Sequence, residues 1–262
     1  MGLQLHQNVE YYKPFPGSNI GQMPLLIAEG RLPISVSGLM LRRLQILNQG
    51  YSEKVKASWL DHCFDTGDGI ATHPSEKVKV VLDAQALKQI NPQSELYIGG
   101  ALVLTEKQWK ELEGLVLTAK QAKKYFGNRY TEAEVNGNVV YQFLAREKGI
   151  LKEYSHEMFA LMKQRFNYDK AMGLFREVES VPTMRICKVR GLENMSDVSG
   201  GCNLVDSNGL LVGVRQGIVE GDSQKISLEQ RLNGRATKVE KVLTFDEDCF
   251  TSEELKAHIK KI

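Results

Sequence analysis

Apolar residues recur at helical spacing in several stretches of this chain. Leu39, Met40, Leu44 and Leu47, with Arg43 among them, form a mixed stripe, and Ser35 or Ser37 stands ready to cap a helix through about Leu47. Val55, Trp59, Leu60, Cys63 and Phe64 repeat the period behind Ser52, which predicts a short helix from Glu53 to Cys63. Leu151, Tyr154, Met158, Leu161, Met162 and Phe166 share one face of a longer helix over 150–166, and another helix is expected over 139–147. Three capping boxes, Thr105/Gln108, Thr118/Gln121 and Thr131/Glu134, each announce a helix start, because a Thr hydroxyl and a Gln or Glu three residues later satisfy each other's free backbone N–H.

The pattern differs at both ends of the chain. Pro14, Pro16, Pro24 and Pro33, with Gly17, Gly21 and Gly30, predict an extended arm over residues 1–33. Ile70 to His73 and Val78 to Leu82 read as strands joined at Pro74-Ser75-Glu76, a hairpin over 69–83, with Asp68-Gly69 as a turn signal. After Pro182, "TMRICKV" and "LLVGVRQ" read as strands, Asn208-Gly209 as a hairpin turn, and Ser252 as the start of a last helix. Strands and helices do not alternate regularly, so the expected class is α+β. The expected layout is the arm at 1–33, a mainly helical region at 34–180 carrying the hairpin, and a glycine-rich, β-containing part at 181–262, all of which can form one domain.

Composition narrows the function classes. The chain has 262 residues, is 42% hydrophobic and carries a net charge of +2. A core of ordinary size needs no staples, and the charge is too small to imply nucleic acid or an anionic membrane. Cys63, Cys187, Cys202 and Cys249 form no CxxC pair, so reduced thiols in a cytoplasmic protein are expected. No apolar run reaches membrane-spanning length.

The segment "FDTGDGIATHP", 64–74, carries the most legible chemistry. Asp65, Gly67, Asp68 and Gly69 could form a loop in which glycine backbones approach a phosphate. His62, Asp65, Asp68 and His73 together offer the donors a divalent metal takes. Asp65 to Gly69 resembles the second phosphate-binding turn of actin-like ATPases, which implies phosphate contacts for those residues. The earlier glycine-rich hairpin and the later adenosine loop of that family have no counterpart here. The simpler reading is a tight turn, since Asp and Gly populate turns on their own account.

"SDVSGGCNLVDSNGLLVGV", 196–214, resembles the nucleophile segment of chymotrypsin-like proteases. That resemblance implies Ser199 as nucleophile and His62 as base, although Val198 splits Asp from Ser and Cys202-Asn203 replaces the usual Pro. Cys202 is a second candidate nucleophile if its pKa is lowered. Arg42-Arg43, Lys120/Lys123/Lys124 and Arg185/Lys188/Arg190 are basic clusters with Tyr125, Phe126 and Tyr130 near the second, a nucleic-acid possibility outweighed by ordinary solvated helix faces. Glu153 and His156 have the spacing of half a di-iron site, without the second half. The expectation that results is a non-catalytic binding or assembly protein, engaging a protein partner or a second copy of itself through the N-terminal arm and exposed loops. The alternative is a metal-dependent hydrolase or phosphate-handling enzyme built on Asp65 and Asp68.

Overall fold

Hydrophobic residues cover both faces of one mixed sheet in the computed structural model, which describes residues 3–5 and 11–215. The expected helix from Ser252 lies outside the described residues. In chain order the elements begin with β1 (Tyr12–Pro16), α1 (Asn19–Ala28), β2 (Arg31–Pro33), α2 (Val36–Asn48), α3 (Glu53–Leu60), β3 (Phe64–Thr72) and β4 (Val78–Val81). There follow α4 (Gln85–Lys88), β5 (Leu96–Tyr97), β6 (Ala101–Val103), α5 (Glu106–Glu111), β7 (Leu115–Leu117), α6 (Ala119–Tyr125), β8 (Asn128–Tyr130), α7 (Glu132–Gly137), α8 (Val139–Ala145) and α9 (Lys148–Phe166). The last are β9 (Ala171–Arg176), β10 (Thr183–Val189), a 3-10 turn at Leu192–Asn194, β11 (Val198–Gly200) and β12 (Leu210–Arg215).

All three capping boxes form, with each Thr hydroxyl accepting the backbone N–H three residues on. Ser35 and Ser52 cap α2 and α3 as their positions predict. The central path of the sheet runs β1-β12-β3-β10-β11-β9-β8. Most pairs are antiparallel, while β12–β3 and β11–β9 are parallel. The mixed α and β class therefore holds. The region 34–180 is less helical than expected, because beyond its hairpin it also carries β5 to β9. Strands of two or three residues are too short to show a period.

The arm is not an extended appendage. Residues 12–33 make strand, helix and strand, and both strands pair with β12. Pro14 and Pro16 are tolerated because, among the described residues, β1 pairs with β12 alone, so a missing donor costs little on its outer side.

One core cluster packs α2, α3, α8 and α9 on the sheet through Leu44, Trp59, Phe64, Tyr141, Tyr154 and Met158. A second, on α1, α4 and nearby loops, includes Met23, Leu26, Leu87, Trp109, Met184 and Leu204. Arg43 is fully buried beside the first cluster, and among the described residues it has no carboxylate partner. Its Nε donates to Trp59 O, one terminal nitrogen to the Tyr154 and Ser196 hydroxyls, and the other to the carbonyls of His62 and Arg190. Five donors meet five acceptors, which is what burying a guanidinium requires.

Candidate functional site

The Asp-Gly segment is the buried centre of the sheet. Every residue of β3 is buried. One of its edges faces β10, and the other faces β12 at Asp65 and β4 from Gly69 onward. Asp68-Gly69 is therefore no turn. Ile186 pairs with Gly69 and Lys188 with Asp65, so Thr66, Gly67 and Asp68 bulge opposite the single residue Cys187. The Thr66 hydroxyl donates to Cys187 O at 2.8 Å. Gly67 donates to Ile34 O and accepts from Ala84 N, and a Cβ there would meet Pro33 at 2.9 Å.

Three of the four carboxylate oxygens of the two aspartates accept from distant backbone, and among the described residues Asp65 Oδ1 is buried without a hydrogen bond. Asp68 accepts from Val36 N at 2.7 Å, at the start of α2, and from Asp83 N at 2.9 Å, with Arg146 at 3.4 Å. Asp65 Oδ2 accepts from Leu210 N at 2.8 Å, and its Oδ1 lies 3.5 Å from Lys188 Nζ. Burial pushes both carboxyls above the ordinary carboxylate value, against these donors.

The expected metal set does not converge. His62 is exposed, and its carbonyl takes the bond from Arg43. His73 lies past the far end of β3, on the order of 20 Å of extended chain from Asp65, bonded to Ser75 and Glu106. Among the described residues no group of three or more His, Cys, Asp or Glu side chains is placed to hold a metal ion.

The acyl-transfer set is not assembled either. Ser199 is buried and its hydroxyl accepts from Gly201 N. Among the described residues no hydrogen bond joins His62 to Ser199 or Cys202. Burial pushes the Cys202 thiol up to about 11, so it is protonated at neutral pH despite Lys188 nearby. Asn208-Gly209 does not close a hairpin, because β12 pairs with β1, β2 and β3 and β11 pairs with β10 and β9. The turn is built instead on Asp206, whose carboxylate accepts from Asn208 N and whose carbonyl accepts from Gly209 N.

The basic clusters divide. Arg42, Arg43 and Arg185 are buried, and Lys188 is tied to Asp65. Lys120, Lys123 and Lys124 are exposed, while Phe126 and Tyr130 point inward, away from any base that would stack on them.

Arg185 is where the structure gathers separate loops. It stands on β10 at 3% exposure. One terminal nitrogen donates to Gly99 O at 2.6 Å and Cys202 O at 3.2 Å. The other binds Glu179 at 2.8 Å and Glu177 at 3.1 Å. One guanidinium thus ties the β5–β6 turn, the loop after β9 and the loop after β11. Further bonds join the same loops: Leu204 N to Gly100 O at 2.9 Å, and the Tyr97 and Ser180 hydroxyls at 3.0 Å. Gly99 and Gly100 have φ of +90° and +72°, and a Cβ on Gly100 would fall 1.7 Å from Asn203 Oδ1, so this junction needs glycine.

Next in sequence to these tethered residues, apolar side chains are exposed. Ile98 is 91% exposed, Val178 40% and Val205 45%. Sequence reasoning missed all three. The one local signal was Gly99-Gly100, a turn dipeptide between two short apolar runs.

No family model and no curated protein matches the chain. One solved structure does. It comes from Nanoarchaeota, is described as showing accommodation of massive sequence variation by the C-type lectin fold, and is 15% identical with a TM-score of 0.59. The match covers 80% of this chain and all of the other. At that identity the likeness establishes the fold, a C-type lectin fold, and no activity.

Proposed function

We propose that this chain is a non-catalytic binding protein whose ligand surface is the loop cluster over Arg185. The observation that carries the reading is the arrangement itself: three loops from different parts of the chain, locked from beneath by a buried guanidinium, with Ile98, Val178 and Val205 facing solvent. A rigid base under exposed apolar tips limits the ordering cost of binding. Apolar side chains in that position suit a protein or peptide partner, which gains by covering them. The Nanoarchaeota structure supports the reading to the extent that a C-type lectin fold is described there as tolerating massive sequence variation, a property expected of a frame that carries changeable loops. The proposed surface is the loops, because residues 12–33 of the N-terminal arm form β1, α1 and β2 of the fold.

The test is selection. A displayed random-peptide library is panned on the immobilised chain and the enriched peptides are measured against an Ile98→Asp/Val205→Asp variant. Peptides that lose at least tenfold in affinity on the variant support the surface. Peptides that bind both proteins equally place the ligand elsewhere.

A further inference from the structure

Leu5 is buried at 3% exposure, although residues 3–5 belong to no helix or strand. Leu3 packs half-buried on the same core cluster. Three bonds hold its backbone. Gln4 N–H donates to the Ser58 hydroxyl at 3.1 Å. Leu5 O accepts from the Trp59 indole N–H at 2.7 Å and from an Arg42 terminal nitrogen at 3.1 Å.

Each receiving group is fixed by residues outside the segment. The Arg42 guanidinium lies 4.9, 4.8 and 5.4 Å from the ring centres of Tyr12, Tyr51 and Trp59. Its other terminal nitrogen donates to Gln45 at 2.7 Å and to the Tyr51 hydroxyl at 3.1 Å. Ser58 donates to Lys54 O at 2.9 Å, which leaves its lone pairs for Gln4 N–H. Trp59 is fully buried with its ring 5.2 Å from that of Phe64. The groove therefore stands ready-made, and it reads a backbone N–H, an apolar side chain and a carbonyl, the features of an extended segment bearing leucine.

We infer that the groove between Arg42 of α2 and Ser58-Trp59 of α3 is a peptide-recognition site, occupied in one chain by its own residues 3–5 and open to the same segment of a second copy. Exchange between copies replaces every contact by an identical one, so only the loss of effective concentration opposes it. High protein concentration favours it by mass action. This site belongs to the helical core cluster and is independent of the loop surface over Arg185.

The test uses the full chain carrying Leu5→Asp, which empties the groove, titrated with a synthetic peptide MGLQLHQNV. The readout is the indole N–H resonance of Trp59, one of two tryptophans. A saturable shift is expected, absent with a peptide carrying Leu5→Asp, and weakened about tenfold or more by Arg42→Ala, since a charged donor to the carbonyl is lost. If Leu5→Asp prevents folding, the same peptide is titrated into the wild-type chain, where it displaces residues 3–5 and shifts the backbone amide resonances of Gln4 and Leu5. Sedimentation of wild-type chain refolded at rising concentration then reports exchange, with a dimer expected that Leu5→Asp, or excess peptide, suppresses. No peptide-induced shift at millimolar concentration overturns the groove. A wild-type chain that stays monomeric throughout overturns the exchange.

Discussion

Two glycine- and aspartate-rich stretches of this chain have opposite fates. "FDTGDG" becomes the buried centre of the sheet, whereas "SGGCNLVDSNG" leaves β11 and contributes to an exposed loop cluster. Composition does not separate them; what does is the destination of the polar groups. Asp65 and Asp68 point at backbone N–H groups of Leu210, Val36 and Asp83, segments far away in sequence, and so act as internal fasteners. Asp206 and Asn203 instead accept from N–H groups two residues on, at Asn208 and Val205, and shape only their own loop. Carboxylates in a glycine-rich stretch thus mark a site only when their oxygens are free, and in β3 three of the four are committed to backbone N–H groups, with Lys188 Nζ 3.5 Å from the fourth, Asp65 Oδ1.

The largest expected effect comes from breaking a fastener. Asp68→Ala leaves the backbone N–H groups of Val36 and Asp83 without their acceptor in a buried site, while Arg146 keeps its 2.8 Å bond to Asp83, and is expected to cost about 3–5 kcal/mol in a denaturant titration. A cost under about 1 kcal/mol would mean that the carboxylate is dispensable. Arg185→Ala acts on the other region. It removes the tether of three loops and is expected to cost roughly 2–3 kcal/mol. Hydrogen exchange sharpens the contrast, with faster exchange expected at residues 97–100 and 201–205 and unchanged protection in β3. Uniform loss of protection would contradict an independent loop cluster.

A pH comparison separates the two stretches more finely. Burial raises the folded Asp65 carboxyl above its ordinary value of 3.8, so the folded chain holds a proton that the unfolded chain releases. Its contribution is complete below that value and is lost as pH rises through the folded value. Asp65→Asn cannot ionise, and it is therefore expected to gain stability relative to wild type between pH 4 and pH 7, read from urea midpoints. A relative loss over that range would show that Lys188 outweighs burial. The smallest expected effect on stability is that of Ile98→Asp, within about 0.5 kcal/mol of wild type because the side chain is exposed.

Local signals were the legible part of the sequence. The three Thr capping boxes and the apolar face of α9 need only neighbours within a turn or two; the structure has all three boxes and buries Leu151, Tyr154, Met158 and Met162 of that face, with Leu161 half-buried and Phe166 exposed. What the sequence concealed depends on distant partners. The bulge at Thr66–Asp68 is set by Cys187 and Ile34, Pro14 and Pro16 are admitted by the edge position of β1, and Arg185 reads as one basic residue among several until the loops around it are seen. Exposed apolar tips such as Ile98 are likewise invisible, since burial is a property of the whole fold.

The central claim is that the loops over Arg185 bind and other exposed apolar positions do not. The measurement that tests it most directly is the affinity of one selected peptide for two matched triple variants. One carries Asp at Ile98, Val178 and Val205. The other carries Asp at Leu25, Ile27 and Val116, which are exposed apolar residues on α1 and β7. The account predicts that the first variant loses at least tenfold while the second keeps wild-type affinity. The reverse pattern would contradict it and place the ligand on the α1 and β7 positions.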